Sequence, residues 1–166
     1  MRYTGLRIAD VALLAWDRVR DGQINVRTMK TGQCVWLPIH PELQAALDIL
    51  PAPRGGDGGY LFWSGNGAPE SMVRAVERTL ATVFTASGVE HAHAHRFRYT
   101  LATELLEQGW KYEDVAEVLG NSAAIVRKHY AKWSRGRQSR LTQMMESVFS
   151  VQNWYTPEKQ PVSYVS

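Results

Sequence analysis

Three short segments of the 166-residue chain gather groups able to hold or move charge. In Thr4-Gly5-Leu6-Arg7-Ile8-Ala9-Asp10 an arginine stands at a helix start with an acid three residues later. In His95-Arg96-Phe97-Arg98-Tyr99-Thr100-Leu101-Ala102-Thr103, His95 and Arg98 share one face if the segment is helical. Leu119-Gly120-Asn121-Ser122 precedes Arg127-Lys128-His129-Tyr130, which puts a tyrosine on a basic helix after a Gly-Asn break. A guanidinium is a planar fork that grips oxyanions bidentately. An imidazole titrates near neutral pH, whereas a phenol, with a reference pKa of about 10, needs a neighbour to take its proton.

Each group also has a plainer reading. Arg7 is placed to form an i,i+3 ion pair with Asp10. Gly-Asn-Ser before a helix is good N-cap chemistry, which makes Asn121 a candidate cap. Tyr130 fits a half-buried aromatic whose hydroxyl finds a partner. His91, His93 and His95 alternate, so an extended segment would line them up on one side. No fourth ligand is evident near them, and a structural metal site wants four, so no metal and no cofactor are expected.

These residues need elements to carry them. Ile8 to Trp16 reads as a short helix. Gln23–Arg27 alternates, and Cys34–Ile39 is rich in strand formers, so both are predicted strands. Between them Met29-Lys30-Thr31-Gly32-Gln33 is a hairpin turn that presents Lys30; a lysine in a polar turn is ordinarily just solvated. Pro41 can start a helix to about Leu50, 51–59 is a loop by composition, and Tyr60–Trp63 suits one extended segment. Helices are predicted over Pro69–Ser87, Arg96–Gln108, Tyr112–Leu119, Ser122–Lys132 and Arg137–Phe149. In the last, Leu141, Met144, Met145, Val148 and Phe149 form an apolar stripe, most simply core packing, with docking on a neighbour as the alternative. The fold class is therefore α+β and mainly helical, with a small antiparallel sheet from the N-terminal half.

Composition sets outer limits. Hydrophobic residues are 45% and charged residues 21%, ordinary globular usage that excludes wholesale disorder. The net charge of +3 and the pI of about 9.1 are compatible with nucleic-acid binding. The basic residues crowd toward Tyr130, with Arg127, Lys128, Lys132 and Arg135 nearby. Cys34 is the only cysteine, which excludes an internal disulfide and suits a reducing, cytoplasmic setting. No run of about 18 uncharged apolar residues offers a membrane span, and Met1–Gly5 has no apolar run behind Arg2 to make a secretory signal.

Taken together, the segments resemble the tyrosine recombinase family, the phage-integrase type of site-specific DNA recombinase. Its T-G-x-R-x-x-E/D, hairpin Lys, H-x-x-R-H/Y-T-x-A-T, L-G-H-S and terminal Tyr elements match Arg7, Lys30, His95 with Arg98, Asn121 and Tyr130, in that order over residues 4 to about 133. The resemblance implies a catalytic domain over 1–150, with 151–166 a tail that is mobile or docks on a neighbour. It also implies that the N-terminal core-binding domain of family members is absent here.

For activity, the resemblance implies that the Tyr130 hydroxyl attacks a DNA phosphodiester, leaving a 3′-phosphotyrosyl link and a free 5′-hydroxyl. The link keeps the bond energy, so rejoining needs no ATP. In that scheme Arg7 and Arg98 clamp the non-bridging oxygens, Lys30 protonates the leaving oxygen and His95 accepts the tyrosine proton. The chain departs from the pattern at Asn121, where the family has His or Trp; Asn offers a neutral hydrogen bond and no charge. Implied partners are double-stranded DNA and, during recombination, a tetramer of the chain on two duplexes. Arg96, Arg127, Lys128 and Lys132 are candidate DNA contacts. A competing reading takes Asp114–Lys132 as a helix-turn-helix that binds DNA without cutting it, with Tyr130 only packing. A third is a decayed recombinase that folds but does not cleave.

Overall fold

The computed structural model describes residues 1–51, 59–130 and 141–148. The first helix, α1 (Ile8–Ala12), is followed by a single 3-10 turn at Trp16–Arg18. A three-stranded antiparallel sheet comes next, in the order β1 (Val19–Arg20), β2 (Gln23–Arg27), β3 (Cys34–Pro38). Then follow α2 (Pro41–Asp48), α3 (Pro69–Ser87), α4 (His95–Glu107), α5 (Tyr112–Leu119) and α6 (Ala123–Tyr130). Residues 141–148 form a further helix, α7.

The sheet follows from alternation. Val26 faces Val35 and Ile24 faces Leu37 in the β2–β3 register, and all four side chains are buried. The residues between them, from Gln23 and Arg27 to Trp36, turn to the other face. Leu6 and Leu14 close this sheet core from the N-terminal segment, and Val118 of α5 packs against it. A second core is purely helical: Ala102 and Leu106 of α4 meet Val115, Ala116 and Leu119 of α5 and Val126 and Tyr130 of α6.

Gly120 joins the cores. It ends α5 in the left-handed region at φ 57°, and a Cβ there would lie 2.8 Å from both Thr28 Cγ2 and Val35 Cγ2. Only glycine lets α5 stop and its backbone press so closely on the β-hairpin. Helix α3 is different. It has 19 residues and none is buried; it rests on α1, and its Phe84 ring meets Phe97 of α4 at 5.8 Å.

Several local expectations change. Helix α1 stops at Ala12, because the chain beyond it is drawn into an antiparallel bridge between Ala15 and Tyr60. That bridge is all that forms of the extended segment expected over Tyr60–Trp63. The alternating histidines are not extended: His91 sits in the left-handed region at φ 54° and His95 opens α4. The stripe on α7 is not core, since Leu141, Met144, Met145 and Val148 are all exposed; Phe149 lies outside the described residues. So do Lys132, Arg135 and the tail at 151–166. Among the described residues, no helix is long and apolar enough to cross a membrane.

Candidate active site

Arg7 is the residue before α1, held in an extended conformation that frees its side chain from the helix. Its Nη2 donates to Asn121 Oδ1 at 3.1 Å, and its Nη1 is buried with no partner. Asp10 does not pair with Arg7. Its Oδ1 instead accepts the Met29 amide at 2.8 Å, which docks the Lys30 turn beside α1. Within that turn Thr28 N–H donates to Gln33 O (2.9 Å) and Gly32 N–H to Thr28 O (2.8 Å). Lys30 is exposed at its tip.

Helix α4 supplies the other half. Arg98 is 1% exposed, among the largest fully buried side chains of the domain. Its Nη1 donates to Gly5 O at 2.7 Å and its Nη2 to Leu119 O at 2.6 Å, so one guanidinium ties the N-terminal segment to the end of α5. Its buried Nε makes no hydrogen bond of full geometry, although the Tyr130 hydroxyl lies close enough to interact with the guanidinium. Burial, and then the charge of Arg7, pull Arg98 below the usual guanidinium range; the neighbouring Tyr130 hydroxyl and Asp10 oppose that. One turn earlier, His95 is also pulled below its ordinary value, first by partial burial and then by Arg98, His93, Arg7 and Lys30. Both influences favour the neutral imidazole, the form that accepts a proton.

These groups converge. Arg7, Lys30, His95 and Arg98 line one cleft of about 730 Å³, whose far wall includes Leu80 and Phe84 of α3. His91 and His93 line it too, yet no group of three metal-ligating side chains assembles among the described residues.

Asn121 and Tyr130 are not among the residues that line the cleft. Ser122, not Asn121, caps α6, accepting the Ile125 amide at 3.4 Å; the Asn121 side chain is turned to Arg7 instead. Tyr130 is only 2% exposed, its ring 4.6 Å from the Tyr99 ring, so it belongs to the helical core rather than to a basic surface. Of the expected DNA contacts, Arg96 donates to Glu90 O at 2.7 Å, Arg127 lies over the Tyr112 ring at 5.2 Å and Lys128 is exposed.

The sequence model of the phage integrase family matches residues 1–137. The chain belongs to that family. Solved structures agree on the fold. A XerA recombinase is 23% identical with a TM-score of 0.61, covering 89% of this chain and 54% of that one. The catalytic domain of bacteriophage HP1 integrase is 24% identical with a TM-score of 0.53, covering 98% and 81%. Lambda integrase, in a structure bound to DNA, is 20% identical with a TM-score of 0.56, covering 80% and 50%. This phage-integrase chain thus spans about half the length of the XerA and lambda chains. No curated protein matches it.

In this integrase-family domain the cleft has the chemistry of an oxyanion site. Arg7 Nη1 is buried and unpartnered, and Arg98, Lys30 and His95 line the same cleft. A buried donor without an acceptor is costly, and a phosphate oxygen could satisfy it. Three participants escape sequence reasoning. Thr31 donates to Gly120 O at 2.9 Å. Tyr99 stands between the His95 and Tyr130 rings and donates to His129 O at 3.2 Å. Ser122 is the third. For Tyr99 the signal was present, as it lies one turn beyond His95; for Thr31 nothing local marks the partner.

Proposed function

We propose that this domain cuts and rejoins double-stranded DNA through a covalent 3′-phosphotyrosyl intermediate, as in site-specific recombination. The observation that carries the reading is the convergence of Arg7, Lys30, His95 and Arg98 on one cleft, with Arg7 Nη1 buried and without a partner. In the reaction the Tyr130 oxygen forms a bond to phosphorus and the bond to the 5′ oxygen breaks. The tyrosine proton passes to neutral His95, and Lys30 protonates the departing oxygen. Arg7 and Arg98 hold the non-bridging oxygens, where charge builds. Asn121 aims Arg7 and stands in for the His or Trp of the family pattern. Exchange between two duplexes then takes four copies of the chain, with Arg96, Arg127, Lys128 and Lys132 on DNA phosphates.

The Tyr130 hydroxyl already neighbours Arg98, but the side chain is covered, so the reading requires DNA binding to uncover it. That burial favours a second reading, a domain that holds DNA without cutting it. Covalent capture separates the two. A library of nicked duplexes with randomised centres is incubated with the chain and resolved on a denaturing gel. A protein–DNA adduct that vanishes in Tyr130→Phe, with binding retained, supports cleavage. Binding without adduct supports the second reading.

A further inference from the structure

We propose that Thr31 is a positioning residue, fixing Lys30 over the cleft by clamping its turn to Gly120; the proposal rests on the reading of Lys30 as the proton donor. Lys30 sits between two anchors, one on each side. Met29 N–H donates to Asp10 Oδ1 of α1 at 2.8 Å, and Thr31 Oγ1 donates to Gly120 O, between α5 and α6, at 2.9 Å. A hydroxyl has one proton. With that of Thr31 on Gly120, the buried Thr28 hydroxyl has one proton for two acceptors, Thr31 Oγ1 at 2.6 Å and Gln33 O at 3.2 Å.

The links close a ring. From Arg7 a hydrogen bond runs to Asn121, whose chain neighbour is Gly120. Gly120 leads to Thr31, and two residues back along the turn Met29 leads to Asp10, three residues from Arg7 on α1. Lys30 is thus held at a set distance from the arginine proposed to grip the phosphate. An unclamped hairpin tip would sample many positions, and misplacement by about 1 Å can cost a hundredfold in rate. Thr31 is itself exposed, so replacing it leaves both cores intact.

The test uses the chain of 166 residues and a duplex recovered from the randomised library, made with either oxygen or sulfur at the 5′ bridging position. A thiolate leaves without being protonated, whereas an alkoxide needs the acid. Lys30→Ala is expected to cleave the oxygen duplex about a hundredfold slower and the sulfur duplex nearly as wild type. Thr31→Val is expected to lose about tenfold on oxygen, to recover on sulfur, and to be repaired by Thr31→Ser, which keeps the hydroxyl. A Thr31→Val that matches wild type on oxygen, or that is equally slow on both duplexes, overturns the proposal. A Lys30→Ala that sulfur does not rescue overturns the assignment of Lys30 instead. Amide exchange needs no DNA: Thr31→Val should speed exchange at Met29 and Gly32 but not at Leu106, and unchanged exchange at the turn rejects the clamp.

Discussion

On the sheet side, Arg7 and Lys30 stand on a helix cap and a hairpin tip and are steered by single hydrogen bonds from Asn121, Asp10 and Thr31. On the helical side, Arg98 and Tyr130 are interior residues, 1% and 2% exposed, the first held by Gly5 O and Leu119 O and the second by the packing of three helices. The groups of the sheet side are adjustable, and moving them costs little fold stability. Those of the helical side are part of what holds the domain together. A site built this way has one fixed wall and one that can be tuned.

The sharpest probe is the residue between the two sides. Gly120→Ala adds left-handed strain and a clash against Thr28 and Val35, together about 2–5 kcal/mol. Gly88, with φ 66° and nothing within 4 Å, isolates the strain alone, so Gly88→Ala should cost only about 1–2 kcal/mol. Denaturant midpoints of the two variants check this, and equal losses would remove Gly120 from its role as the joint.

Next come the two arginines. Arg98→Lys cannot span both Gly5 O and Leu119 O and strands a buried carbonyl, about 1–3 kcal/mol. Arg7→Lys gives up one partly buried hydrogen bond and should cost about 1 kcal/mol or less. If thermal melts show Arg7→Lys to be as damaging as Arg98→Lys, the contrast between the two walls is wrong.

A smaller effect concerns His95. Burial and the surrounding cations favour its neutral form, so its midpoint, followed by NMR of the ring protons, should fall below the ordinary 6.5 or so. Since burial and Arg98 are the leading causes, Arg7→Gln should raise the midpoint only part of the way back. The sign for stability follows. Acidification below about 6.5 protonates the unfolded chain first and weakens the fold, and His95→Gln should flatten that slope. A midpoint above 6.5 would contradict the cationic cleft. The smallest effect belongs to α3, where Val83 is 55% exposed: Val83→Ser should stay within about 0.5 kcal/mol in denaturant titration.

Much of this was legible from local pattern. Alternation in Gln23–Arg27 marks β2 to the residue, and Gly120 marks the end of α5. The family resemblance singles out Arg7, Lys30, His95 and Arg98, and the cleft gathers all four. What sequence could not supply is partner choice across long separations. Asp10 looks like the mate of Arg7, three residues away, but a backbone amide 19 residues distant claims it. Asn121 looks like a cap, but an arginine 114 residues away takes its oxygen and leaves the capping to Ser122. Tyr130 reads as a half-buried aromatic on a basic helix until α4 is laid against it and covers it.

The N-terminal anchors have a consequence for synthesis. Arg2 forks onto both carboxylate oxygens of Glu104, 102 residues later, and Gly5 O waits for Arg98, 93 residues later. Chains emerge from the ribosome N-terminus first. Arg7 is therefore made before Asn121, and nothing aims it until the α5–α6 turn has followed. A half-translated domain carries Arg7 without Arg98, and so without the paired guanidinium groups of the cleft.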